Sequence, residues 1–343
     1  MPPKTNDQLS KAKVKNKTKR NLSLILVFLL LVLGGETLVN VINPYAIRDW
    51  WILLNYKPPI AVVSLANQDT MTAYGKKLFY VNKPLIEDKT SFFKACPNSS
   101  SGSYVIGCYH QGDNGIFLLS VNQPQLKGIV QVTAAYEMLH AGYARLSSKI
   151  KANINAQMWN FYNSHSLGHQ IRSQMATYRA TEPNALSDEL YSVLGTEVAD
   201  LPSSLSKHYL MYFANREKIV SMYTTYEAAF TERITQIKQD QNQLTLLNQQ
   251  INNGRSQLAN MQSGLNAQLQ SLNALKASGN YIAYNNLVNS YNDRVASYNA
   301  YASNIRTDIS EYNQLVSQIN NLAVEQNQLV SAIDSSPKLT TTR

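Results

Sequence analysis

Residues 281–305 read YIAYNNLVNSYNDRVASYNAYASNI. Apolar or tyrosine residues recur every seven positions through this stretch and beyond it, at Tyr284, Tyr291, Tyr298, Ile305, Tyr312, Ile319 and Ile333, broken only by Gln326. A second row lies four residues on, at Val288, Val295, Ala302, Ile309, Val316, Ala323 and Val330. Such a sustained heptad predicts a left-handed coiled coil. Upstream, Ile237, Leu244, Ile251, Leu258, Leu265 and Leu272 keep the same interval, with a mixed partner row of Asp240, Leu247, Gly254, Met261, Gln268 and Leu275. Between the two stretches lies the breaker ASGN at 277–280, and no proline occurs between Pro202 and Pro337. Two arms about a Gly-Asn turn most simply form an antiparallel hairpin. At 1.5 Å rise per residue the second arm would be roughly 80 Å long, too long for a globular core.

The outer faces of both arms carry Asn and Gln where Glu and Lys are usual, and YN pairs such as Tyr284-Asn285 and Tyr291-Asn292 repeat along the second arm. Tyrosine and asparagine suit polar contacts, so one reading is a surface for a glycan, a cell-envelope polymer or another surface protein. The other is plain helix packing with a low-charge exterior. Seven-residue spacing allows pairing within one chain or between chains, which leaves a homo-oligomer through the coiled coil open. Basic residues are few here and form no stripe, so no nucleic-acid partner is expected.

The chain has 343 residues and a formal charge of +9. That charge is concentrated at the start: residues 1–20 hold seven basic residues and the single acid Asp7, a net +6, which leaves +3 for everything else. The tail leads into NLSLILVFLLLVLGGETLVNVIN, whose 22–33 stretch is apolar except for Ser23, with weaker apolar character to Ile42. This approaches the roughly 20 residues a helix needs to cross a bilayer. A Lys/Arg cluster before such a run holds that end in the cytoplasm and places the rest of the chain outside. No convincing A-x-A-like cleavage site follows soon after, so the run is read as an uncleaved anchor, with a cleaved signal peptide as the alternative. RDWW at 48–51 would then rest at the outer interface, where tryptophan is enriched, or pack within the next domain.

An exported location suits the two cysteines. Cys96 and Cys108 flank a polar loop, and a disulfide closing about 13 residues would contribute roughly 3 kcal/mol in the chain-entropy model. Around them, LANQDTMTAYGKKLFYV has helical spacing with Asp69 or Thr70 as cap candidates, and two short strands are expected at 104–109 and 115–121. A helix follows, opening with GIVQVTAAYEMLHAGYARL.

Within that helix, Glu137, Met138, Leu139 and His140 would complete the zinc-protease pattern H-E-x-x-H if Tyr136 were a histidine. In that pattern the two histidines grip zinc from one helix face, the glutamate activates a bound water, and a third ligand comes from elsewhere. A neutral phenol is a poor zinc ligand beside the imidazole it displaces. His165 and His169 repeat the four-residue spacing but enclose no Glu, and Gly168 weakens a helix there. His110 is assigned to a hairpin turn and His208 to the surface or to packing. No phosphate loop, G-x-S-x-G elbow or nucleotide fingerprint occurs.

VTAAYEMLHAGYARLS, followed by EPNALSDELYSVLGTEVADLPSSLSKHYLMYF and NREKIVSMY, resembles the exported, membrane-anchored zincin-like proteins of the gluzincin type found in bacteria. Their segments read H-E-M-L-H-A-A-Y and E-[LM]-H-S-[IVL]-x-G-T-E, and the resemblance covers about residues 48–232. It implies that Glu137 matches the general base, His140 a zinc ligand, and Glu189 or Glu197 the acidic third ligand. Glu189 is favoured because an acid in a downstream helix after Asn or Asp, here Asp188, is the commoner arrangement. The sequence departs from the pattern at Tyr136 and Tyr191, each in place of a histidine. Zinc is therefore expected to bind weakly or not at all.

The expected architecture is α+β and predominantly helical. It comprises a basic cytoplasmic tail (1–20), a transmembrane anchor (21–43), a degenerate zincin-like domain (44–232), a coiled-coil helical hairpin (233–334) and a disordered tail (335–343). The expected function is that of an extracytoplasmic pseudo-metallopeptidase binding or scaffolding at the cell surface. The alternative is an active zinc metallopeptidase with Glu137 as base and His140 with Glu189 or Glu197 as ligands.

Overall fold

A computed structural model describes residues 45–97, 104–112 and 115–336. The basic tail and the anchor read at 1–43 lie outside these residues. Among the described residues, no helix is long and apolar enough to cross a membrane. The described chain is predominantly helical with one three-stranded sheet, and it divides into two compact units.

In order, the elements are α1 (Ala46–Asn55), α2 (Ile60–Gln68), α3 (Ala73–Val81), β1 (Leu85–Glu87), α4 (Lys89–Ala95), β2 (Gly107–His110) and β3 (Gly115–Leu119). There follow α5 (Ile129–Ala144), α6 (Ser148–Ser164), α7 (His169–Thr181), α8 (Leu186–Thr196), α9 (Ser203–Tyr209), α10 (Arg216–Ala277) and α11 (Tyr281–Ile333).

One unit comprises residues 88–106, 119–133 and 217–343 and contains the two longest helices. Every residue of the four heptad rows is buried or half-buried, including the seam tyrosines Tyr284, Tyr291, Tyr298 and Tyr312. Cross-arm contacts run antiparallel: Arg233 with Glu325 at 3.1 Å, Gln243 with Glu311 at 2.8 Å, Gln257 with Tyr301 at 3.0 Å and Gln268 with Arg294 at 3.1 Å. The turn forms where the sequence breaks. Gly279 takes φ +70, which a side chain would disfavour, and the Asn280 side chain accepts from the Ala283 N–H to cap α11. The yoked tyrosine rows therefore pack in the seam.

One feature goes beyond the heptad reading. The first arm is one continuous helix from Arg216, well before residue 233. Asp240, in the mixed row, is 3% exposed and its Oδ1 accepts from Gln236, so one acid sits inside the seam. At the far end of the arms, Leu126, Ile129, Leu329 and Ile333 form an apolar cluster with Tyr226 and Phe230 against it. Of the tail read at 335–343, Ser335 and Ser336 are described; Ser335 is buried and Ser336 donates its N–H to Asp334.

The other unit comprises residues 1–87, 107–118 and 134–216. Its sheet has the order β1-β3-β2, and β2 and β3 pair antiparallel with Cys108 opposite Phe117 and His110 opposite Gly115. The strands are shorter than expected, and β1 was not anticipated. His110 ends β2 instead of lying in the turn. The expected cap at Asp69 or Thr70 falls instead at Thr72, whose side chain accepts from the Gly75 N–H. Asp69 ends α2, and Thr70 takes φ +52. The break is held by backbone bonds from Thr72 to Tyr212 and from Ala214 to Thr70. Cys96 and Cys108 form a disulfide, leaving no free cysteine.

The helix α5 is apolar on nearly every face from 134 onward: Ala134, Ala135, Met138, Leu139 and Ala141 are fully buried. A helix of this kind belongs inside a domain, so its ionisable residues must find partners there. Gly195 of α8 allows the two helices to meet closely, because a Cβ there would strike the Leu139 side chain and come within 2.9 Å of the Tyr209 ring. That close approach brings the first turn of α8 alongside Tyr136 and His140.

Candidate functional site

Tyr136 and His140 lie one turn apart on α5, with ring centroids 5.0 Å apart in an edge-on arrangement. Facing them are two consecutive acids in the first turn of α8, Asp188 and Glu189. His140 lies between them: Nδ1 is 2.8 Å from Asp188 Oδ1, and Nε2 is 3.8 Å from Glu189 Oε1. The Tyr136 hydroxyl donates to Glu189 Oε2 at 2.6 Å, and its oxygen is 3.1 Å from the Tyr178 hydroxyl on α7. Trp159 of α6 donates to Ser187 at 3.0 Å, fixing the entry to α8 beside this cluster.

Burial governs the charges. Glu137 is 5% exposed, and desolvation raises its pKa to about 8 against the partial relief of His140; Glu189 is raised for the same reason. Desolvation alone would lower His140, but the Asp188 hydrogen bond and the surrounding carboxylates overcome it and raise it to about 10. Tyr136 is held well above the ordinary phenol value by burial, with the Glu189 charge next in importance. At neutral pH it is thus a protonated donor.

The sequence-named residues are not all in one place. Glu137, His140, Glu189 and Tyr136 come together. Glu197 caps the far end of α8, where its Oε1 accepts from Gln174 at 3.2 Å, although its charge still raises Tyr136. Tyr191 points into a separate buried cluster, its hydroxyl 2.7 Å from His208 Nε2 and 2.9 Å from the Tyr212 hydroxyl. His208 is therefore a bonded packing residue, and burial lowers its pKa. His165 stacks on Phe161 at 4.4 Å, and both His165 and His169 are exposed. Asp188 was named in the sequence only as the residue before Glu189 and not as the partner of His140, and Tyr178 carried no distinguishing signal there.

A zinc ion does not fit this donor set. The imidazole that would complete it is a protonated phenol whose hydrogen is given to Glu189. Within this unit, among the described residues, no three His, Cys, Asp or Glu side chains bring one ligand atom each within 4.8 Å of one another. The cluster is instead a hydrogen-bonded group of acids, one imidazole and two phenols.

The pH dependence of stability follows. Glu137 ionises near 4.5 when unfolded and about 8 when folded, so the folded state holds its proton longer and loses stability as pH rises between these values. His140 moves from 6.5 to about 10, so its contribution is complete below 6.5 and is lost as pH rises through 10. Both act in the same direction. Urea unfolding followed by tryptophan fluorescence should show stability falling by about 7 kcal/mol between pH 5 and pH 9, about 4 from Glu137 and about 3 from His140. Glu137→Gln should flatten the slope below pH 8; superimposable profiles for the two chains would contradict the buried-acid account.

Comparison with known proteins returns no matching family model, no matching curated protein and no matching solved structure.

Proposed function

We propose that this chain is a membrane-anchored, extracytoplasmic protein whose metallopeptidase-like unit has lost peptidase chemistry and acts in binding or scaffolding at the cell surface. The observation that carries this reading is the 2.6 Å bond from Tyr136 to Glu189. It ties the residue at the first-ligand position to the acid that would be the third ligand, so the acid is satisfied within the protein. Glu137, whose pKa burial raises to about 8, holds its proton at neutral pH. The long hairpin, low in charge and rich in Asn and Gln outside its seam, supplies an extended surface for an envelope polymer or another surface protein.

The test is elemental analysis of the full chain, purified without chelators, beside His140→Ala. Both chains should be free of stoichiometric zinc. About one zinc per native chain, lost in His140→Ala, would overturn the reading in favour of a working metal site.

A further inference from the structure

The helix α1 is built inside out. Ile47, Trp50, Trp51 and Leu54 fall at the spacing that makes one helical face, and that face is exposed: Trp50 is 60%, Trp51 62% and Leu54 62% accessible, with Ile47 at 37%. The opposite face holds Arg48 and Asp49 beside Ile52 and is turned inside. Asp49, 1% exposed, accepts from Arg145 through both carboxylate oxygens at 2.7 and 3.0 Å and lies 3.3 Å from Lys77. Arg48 donates to the Gly112 carbonyl at 2.5 Å. An ordinary surface helix shows the reverse arrangement. The buried ionic contacts fix the rotation of α1, so the apolar face cannot turn inward.

We infer that this face of α1 docks on the outer surface of the phospholipid bilayer, with Trp50 and Trp51 at headgroup depth. The inference rests on the anchor reading of residues 21–43. The apolar run ends at Ile42, and α1 begins at Ala46. Four residues of extended chain reach about 14 Å, so the helix is tethered within that distance of the bilayer. Tryptophan favours this boundary because its ring is apolar and its N–H is polar. A helix lying in the interface buries its apolar face about 5–10 Å deep. Docking would also fix how this unit is held above the membrane, because the ion cluster joins α1 to Arg145 and Lys77 without play.

The test uses the full chain reconstituted into phosphatidylcholine–phosphatidylglycerol vesicles carrying brominated acyl chains, with Trp50→Phe/Trp51→Phe as the comparison. Both substitutions are at exposed positions. The native chain should lose roughly half its tryptophan emission, more with bromines near the headgroups than at the bilayer centre. The double variant, in which Trp159 alone emits, should be unaffected. An alkaline carbonate wash separates the two readings. A chain that resists the wash but is not quenched keeps the anchor and overturns the docking. A chain that is quenched but washes off supports docking and overturns the anchor; one that never binds vesicles overturns both. Absence of quenching together with Trp50→Cys cross-links between chains would assign the face to a second copy and refute the proposal.

Discussion

A Tyr136→His chain is expected to bind about one zinc per molecule, where the native chain is expected to bind none. His140 is already oriented for this role. Its Nδ1 is held by Asp188 at 2.8 Å, which directs Nε2 toward Glu189 at 3.8 Å; an outer carboxylate of this kind sets the ring position of a ligating histidine. Imidazole at position 136 would supply the missing nitrogen and free Glu189 from the phenol. Without metal the substitution should cost about 1–3 kcal/mol, since the Tyr136 hydroxyl no longer satisfies the buried Glu189. With zinc at a hundredfold excess over its dissociation constant, about 2.7 kcal/mol should return. The measurement is thermal unfolding with and without zinc, alongside elemental analysis. A rise in midpoint confined to Tyr136→His, and abolished by adding His140→Ala, is the expected pattern. If the variant takes up no more zinc than the native chain, the helix pair is not one substitution away from a metal site, and the resemblance to zincins loses its chief support.

Arg145→Met should destabilise the unit that holds α1 by about 3–5 kcal/mol. Asp49 is almost wholly buried, and Arg145 gives it two hydrogen bonds while stacking over the Tyr45 ring at 4.5 Å. With Arg145 gone, only Lys77 remains, and its side chain is 38% exposed. A buried carboxylate short of its partner is costly. Replacing both partners, as Asp49→Asn/Arg145→Met, should recover much of the loss, because no unpaired charge is then left inside. Denaturant unfolding of these three chains together with Asp49→Asn alone completes the cycle and gives the coupling directly. Equal stability of native and Arg145→Met would show that the pair neither supports the fold nor fixes the facing of α1.

The hairpin was legible because its determinants are local. A seven-residue period places one face of a helix regardless of what lies elsewhere in the chain, and each residue of the four rows is buried or half-buried in the folded protein. Gly279 and Asn280 likewise act over a few bonds. The strands β2 and β3 were read approximately for the same reason. By contrast β1 has three residues and no alternation; it exists because β3 lies beside it. The cap at Thr72 was misplaced because its backbone is bonded to Tyr212, 140 positions further along the chain.

The candidate site divides along the same line. Glu137 and His140 share one helix, so their spacing placed them together, and the sequence by itself also determined the charge asymmetry of residues 1–20, the apolar run that follows and the heptad arms. Only tertiary structure decided which acid meets His140, that the Tyr136 hydroxyl donates a hydrogen bond to Glu189, and that Tyr191 belongs with His208 and Tyr212. It also decided that α1 keeps Asp49 inside and its tryptophans outside. Period and capping depend on neighbours within a turn or two, whereas these contacts join residues 17 to 96 positions apart on different elements, and only the packing of those elements determines which side chains meet.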